Sequence, residues 1–323
     1  MKCVNCGSSD TVIWGKTARG IVRYKCKICL KTFAKTKLKK EKKSKYFNRF
    51  LKWVSSGSTV KDLALSETSP RTLARYFLYF LDYSPQPAKL SGPKEINLKC
   101  DAKYFGRDSC VLVFKEGKNI IFWHHCEKES FQNYVWCFRE LLELGYIIKS
   151  VTSDKHGSIV AAVKWLFPGI PHQYCLVHIQ RRCQTLLTQR PDTNEGWALL
   201  RLVKVINTVR SKGDEAVFRK WLENYENDNK VFLSQKTYGK KLNGSKTWWY
   251  THRNVRFAFR HIKTSLDHMF LYLEDSNIPK DTNGLEAEFT HLKTKLNMHR
   301  GLARKRLTNF VSWYWYIKYK KNN

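Results

Sequence analysis

Acidic residues are scarce in this sequence. Its 323 residues hold 27 Asp and Glu against 59 Lys and Arg, a formal net charge of +32. A deficit of that size calls for a polyanionic partner, nucleic acid above all. Long apolar runs are missing too. No stretch of 18 apolar residues occurs, which excludes a transmembrane helix. Met1–Cys6 carries no apolar signal region, so secretion is not expected. No long basic amphipathic helix stands alone, which weakens the case for an anionic membrane surface. Internal repeats and low-complexity tracts are absent, and so are the aromatic sheet motifs expected of an RNA-binding protein. What is present is core material: 42% hydrophobic and 14% aromatic residues, enough to exclude a mainly disordered basic tail.

Ten cysteines divide into two kinds. Cys100, Cys110, Cys126, Cys137, Cys175 and Cys183 are scattered and read as reduced thiols in a cytosolic compartment. Cys3, Cys6, Cys26 and Cys29 form two Cys-x-x-Cys pairs 19 residues apart. Four thiolates so spaced can close a tetrahedron around Zn²⁺. Thr11–Trp14 and Val22–Tyr24 read as strands between the pairs, so the spacing predicts a zinc ribbon over residues 1–34. Lys16, Arg19, Arg23 and Lys25 at its fingertip suit phosphate contact.

Charge and punctuation divide the rest. Residues 1–50 hold 15 Lys and Arg against Asp10 and Glu41, and residues 35–45 read as a basic linker. Residues 46–83 carry three helical patterns: one with Phe47, Phe50, Leu51 and Val54, a short one at Thr59–Leu65, and one capped by Ser69 with Pro70 at its first position. With a break at Gly57 they read as a helix-turn-helix whose last helix offers Arg71 and Arg75. Residues 84–94, rich in proline, form a second linker. From there to residue 320 the order is strand, strand, strand, helix, strand, helix, strand, then mostly helix, which indicates an α/β or mixed sheet.

Three acids stand out within that last region. Asp101 lies in its first strand, Asp154 ends the fourth, and Glu286 opens a late helix. Carboxylates converging at strand ends form a hard-oxygen site for Mg²⁺. Each also has a local use: Asp154 suits the cap of the next helix, and Asn283–Glu286 fits a capping box. Cys175 and His178, three apart, share a helical face and suit either a metal or a hydrogen-bonded pair. Arg253, Arg256, Arg260 and Lys263 fall on one face of Thr251–Leu266, a pattern suited to tracking phosphates. Trp248 and Trp249 are expected in the core.

Ile96–Gly106 with its Asp101, Thr152-Ser-Asp154, Cys175-Leu-Val-His178, Asp281-Thr-Asn-Gly-Leu-Glu286 and His299-Arg-Gly-Leu302 together resemble a DDE transposase. The pattern is most similar to the Mutator-like group of bacterial insertion-sequence transposases and covers roughly residues 94–320. The N-terminal segments are similar to DNA-binding modules attached to such enzymes. The resemblance implies an RNase H-like core with an all-helical insertion at about 180–275. It implies Asp101, Asp154 and Glu286 as catalytic ligands of Mg²⁺ or Mn²⁺, with Cys175 and His178 as supporting residues. Glu288 competes for the third position and Asp108 for the first. Arg300 joins the DNA-contact set. The implied activity is two-metal phosphodiester hydrolysis and transesterification for DNA transposition, on terminal inverted repeats and target DNA, by a homo-oligomer in the cytoplasm at the nucleoid. A non-enzymatic DNA-binding regulator derived from a transposase is the alternative.

Overall fold

The computed structural model describes residues 1–18, 20–34, 40–64, 68–106, 109–240, 244–299 and 301–322. Arg19, Asp108, Arg300 and residues 35–39 of the basic linker lie outside them. The chain forms two compact units, Met1–Tyr83 and Ser84–Asn323. Among the described residues no helix is long and apolar enough to cross a membrane.

In the first unit, β1 (Thr11–Lys16), β2 (Val22–Cys26) and β3 (Thr32–Ala34) form an antiparallel sheet in that order. Its apolar core is small: Cys3, Cys26 and Phe33, with Tyr24 stacked on Phe33. Three helices follow: α1 (Lys40–Ser55), α2 (Val60–Ala64) and α3 (Pro70–Phe80). The Ser69 hydroxyl caps α3 by accepting from the Thr72 N–H at 3.2 Å, and Pro70 takes the first position, where no N–H partner is needed. Phe50, Trp53, Phe77 and Phe80 pack ring against ring with centroids 5.1–5.8 Å apart. The buried stripe of α3 runs through Leu73, Tyr76, Phe77 and Phe80, and Ala74 and Leu78 are half-buried.

The second unit is built on a five-stranded mixed sheet. β4 (Lys94–Tyr104), β5 (Cys110–Glu116) and β6 (Asn119–Cys126) make an antiparallel meander. α4 (Phe131–Glu143) then leads to β7 (Tyr146–Ser153), and α5 (Gly157–Leu166) to β8 (His172–Tyr174). β7 runs parallel to β4 and β8 parallel to β7, giving the order β6-β5-β4-β7-β8. One face carries Ile96, Leu98, Cys100, Leu112 and Phe114 against Phe138 and Leu141 of α4 and Ile159 of α5.

After β8 come α6 (Leu176–Leu187), α7 (Asn194–Val205), α8 (Lys212–Asp228) and α9 (Lys230–Ser234). They share a second core with a later helix. The expectation of an all-helical insertion is corrected at this point. β9 (Lys236–Lys240) and β10 (Lys246–Tyr250) form an antiparallel hairpin. Thr237, Tyr238, Thr247, Trp248, Trp249 and Tyr250 are β-branched or aromatic, the types that favour a pleated strand over a helix. The expectation of a buried tryptophan pair is corrected too, since Trp248 and Trp249 are about half exposed. The chain continues through α10 (Arg253–Lys263), α11 (Asn283–Met298) and α12 (Arg304–Asn322). α11 contacts β4 and α12 contacts β6, with Trp123 of β6 meeting Tyr316 and Tyr319.

Candidate active site and metal centre

The four ribbon cysteines meet at one point. Their sulfurs all lie within 4.8 Å of one another, with Cys3 to Cys29 at 3.6 Å and Cys6 to Cys26 at 3.5 Å. A tetrahedron with metal–sulfur bonds of about 2.3 Å has edges near 3.8 Å, so the donor set fits Zn²⁺ and could bind it. The knuckles turn through Gly7 and Leu30, both in the left-handed region at φ +79° and +58°. Burial favours the neutral Cys3 thiol, but the N–H groups of Asn5 and Cys6 and the thiols of Cys29 and Cys6 outweigh it and bring its pKa down to about 6. At Cys6 the Ser8 N–H is outweighed by the neighbouring thiols, which push its pKa up, so without a metal the cluster shares its negative charge unevenly. Among the described residues this quartet is the one group of three or more His, Cys, Asp or Glu whose ligand atoms approach so closely.

The carboxylates are positioned by strand register. In the parallel pair β4 and β7, Lys99 lies opposite Thr152. Asp101 stands two residues beyond the first, within β4, and Asp154 two beyond the second, immediately after the last residue of β7. Asp101 follows the apolar set Ile96, Leu98 and Cys100 of β4, which faces α4 and α5. α11, carrying Glu286, contacts β4, and the Lys115 ammonium of β5 donates to the Gly284 carbonyl at 3.3 Å. Asp101 is 9% exposed, and its Oδ1 accepts from the Ala102 N–H at 2.8 Å. Burial is the main force raising its pKa to about 7. His178 opposes the rise, while the negative charges of Asp154 and Glu286 reinforce it. A buried acid held up by two neighbouring acids is a site where a divalent cation would relieve both burial and repulsion.

The loop before α11 is tied to the sheet. Thr152 Oγ1 donates to the Pro279 carbonyl at 2.7 Å, and the Cys175 and Leu176 N–H groups donate to the Ser153 and Lys280 carbonyls. Cys175 Sγ accepts from the Thr282 N–H at 3.3 Å, and the Thr282 hydroxyl lies 3.5 Å from both Cys175 Sγ and His178 Nδ1. Cys175 and His178 therefore clamp the start of the helix that bears Glu286. Burial lowers the pKa of His178, but the Cys175 sulfur, Asp101 and Asp154 together push it up to about 9. The expected capping box does not form. α11 starts one residue earlier than that motif requires, with Thr282 at its cap position making no side-chain bond to the helix, and Glu286 falls in the fourth helical position. The Glu286 carboxylate instead pairs with Arg181 and lies 3.7 Å from His178 Nε2. Glu288 is engaged by Lys318 and Tyr314 of α12. Asp154 accepts from the His156 N–H at 3.2 Å, just ahead of α5.

Two site residues escaped the sequence. Arg181, one turn beyond His178, occupies Glu286, and an i+3 count from His178 was the available signal. Glu129 is half-buried, accepts from the Tyr134 hydroxyl at 2.6 Å and pairs with His156 at 3.2 Å. Burial and the charge of Asp154 hold it above the ordinary glutamate range against the Tyr134 bond. It lies outside regular structure, so no periodicity marks it.

The basic residues divide by environment. Lys16, Arg71 and Arg75 are exposed, and Arg23 donates to Thr32 Oγ1. On α10, Arg253, Arg260 and Lys263 are exposed, with Lys263 held by Glu226 at 2.6 Å. Arg256 is turned inward. It donates to the Leu233 carbonyl and lies 3.8 Å from the Tyr250 ring centre.

No family model matches the sequence, and no curated protein matches it. Among solved structures the chain is similar to a chain titled "Drosophila P element transposase strand transfer complex", with TM-score 0.37 and 10% identity over 88% of this chain and 92% of that one. A likeness of that size assigns neither fold nor activity.

Proposed function

We propose that this chain is a DNA transposase of the Mutator-like insertion-sequence type, with an RNase H-like core, that binds element ends and carries out metal-dependent strand cleavage and strand transfer. The observation that carries this reading is that Asp101 of β4 feels the charges of both Asp154, which follows the adjacent parallel strand β7, and Glu286 of α11. These three carboxylates would hold Mg²⁺ or Mn²⁺, which when bound supplies the positive charge that phosphodiester hydrolysis and transesterification require. The protein's own part is positioning. Burial desolvates Asp101, the Cys175–Thr282–His178 clamp fixes the start of α11, and Arg181 and His178 bracket Glu286. The Cys₄ ribbon, the three-helix array with Arg71 and Arg75, and the exposed side of α10 serve the DNA backbone and terminal repeats, on which the chain acts as a homo-oligomer.

A cleavage assay tests this. Labelled duplexes covering the ends of the element that encodes the chain are incubated with parent or Asp154→Asn protein and Mg²⁺ or Mn²⁺. The parent should nick at the ends, and the variant should lose at least about 100-fold while binding the same duplex. A parent that binds ends and cuts under no metal condition leaves the regulator. Equal nicking by both proteins would remove Asp154 from the site.

A further inference from the structure

The β9–β10 hairpin has a side that the cleavage reading does not use. The register pairs Lys240 with Lys246, Tyr238 with Trp248 and Lys236 with Tyr250. All six side chains leave the same face, because each strand alternates. That face is a ladder of cations and rings, with Tyr238 74% exposed and Trp248 49% exposed. The Lys236 ammonium sits 4.0 Å from the Trp248 ring centre, and Trp248 meets Tyr250 edge to face at 5.4 Å. On the reverse face Trp249 lies across Gly239, where a Cβ would meet its ring at 3.0 Å, and is 48% exposed. No acid occurs among residues 236–240 and 244–250.

Contacts at its base fasten the hairpin to the helices on either side. The Thr251 N–H donates to the Gln235 carbonyl, the Thr237 and Thr251 hydroxyls lie 2.8 Å apart, His252 Nε2 is 2.9 Å from Gln235 Oε1, and the His252 ring stacks on Phe232 at 3.7 Å. A two-stranded hairpin gains little by exposing three large rings to water. The rings and lysines together match a ligand that is both flat-faced and anionic.

We propose that the Tyr238–Trp248 face of this hairpin is a stacking platform for unpaired nucleotides of single-stranded DNA, the lysines holding the backbone between stacked bases. Duplex DNA fits less well, since its bases are already stacked and offer no free face. The inference rests on the transposase reading, in which cutting and rejoining leave unpaired nucleotides near the active site.

The test uses full-length protein in Mg²⁺-free buffer, so its outcome does not depend on catalysis. The probe is a fluorescent 20-nucleotide oligothymidine, beside a duplex of the same length. Tyr238→Ala/Trp248→Ala should weaken oligothymidine binding about 10- to 100-fold and change duplex binding less than about twofold. Trp248→Phe, which keeps a stacking ring and the fold, should stay within about threefold of the parent while losing part of the fluorescence quenching on binding. Equal loss for oligothymidine and duplex would reduce the hairpin to a basic surface and overturn the proposal. Unchanged oligothymidine binding by the double variant would overturn it as well, and so would unchanged quenching in Trp248→Phe. Intact end cleavage with either result leaves the transposase reading standing. Selective oligothymidine loss in a protein that never cleaves leaves the platform standing alone.

Discussion

The four ribbon cysteines come from 27 consecutive residues, whereas Asp101, Asp154 and Glu286 span 186. The ribbon has little else to hold it: its apolar core is three buried residues, and β3 is three residues long. Asp101 instead lies in a sheet with a broad core of its own, Asp154 follows one of its strands, and Glu286 comes from α11, which contacts β4. One donor set is local, held by two tight turns, and the other is long-range, its members brought in by separate elements of the fold.

That contrast breaks most visibly at the ribbon. Cys26→Ser/Cys29→Ser should abolish bound zinc and the folding free energy that comes with it, about 10 kcal/mol or more for small structural zinc modules. Limited proteolysis should then open residues 1–34 while fragments of 84–323 persist. Zinc retained at one ion per chain in the double variant would contradict the four-sulfur centre. The reciprocal change is Phe114→Ala. Phe114 is fully buried between Phe122 and Phe138, and its truncation should cost about 3–5 kcal/mol of second-unit stability in thermal unfolding, with zinc content unaffected.

Next in size is the pH dependence of the acid cluster. Asp101 has a folded pKa near 7 against 3.8 for the free side chain. A raised carboxylate contributes its full stability below the lower value and loses it as pH climbs through the upper one. In Mg²⁺-free buffer the parent should therefore lose up to about 4 kcal/mol between pH 4 and pH 7 from this group. Asp101→Asn should flatten that slope in melts across the range, and an unchanged slope would show that Asp101 is not buried among acids. The smallest effect belongs to a purely local feature. Ser69→Ala removes the cap of α3 and should cost about 1 kcal/mol in chemical denaturation of the first unit.

What the sequence made legible follows the same division. Cys-x-x-Cys spacing and the Ser69-Pro70 cap are short-range signals, and each corresponds to a local structure. Asp101 and Asp154 were legible as acids within and just after strands, but which residues of β4 and β7 align is a property of neither strand alone. The Asn283–Glu286 capping box failed because Thr282 is drawn to Cys175 and His178, and that tertiary contact overrides the local motif. Trp248 and Trp249 were assigned to the core from residue type, although the alternation of Lys, Thr, Tyr and Trp through 236–250 is the period-two signal of a half-exposed hairpin. Arg181 shares its helix face with His178, but the acid it pairs with is 105 residues away, and the His156 partner of Glu129 is 27 residues away, so no local pattern joins them.

The central claim is that Asp101, Asp154 and Glu286 form one cation site. The direct measurement is a crystal of the full chain equilibrated with Mn²⁺ and its anomalous difference map. The account predicts a manganese peak bonded to carboxylate oxygens of Asp101 and Asp154, with the Glu286 carboxylate turned from Arg181 toward the ion, and no such peak in Asp154→Asn crystals. A map at saturating Mn²⁺ with Asp101 and Asp154 bare, or with the peak bound to other residues alone, would contradict it.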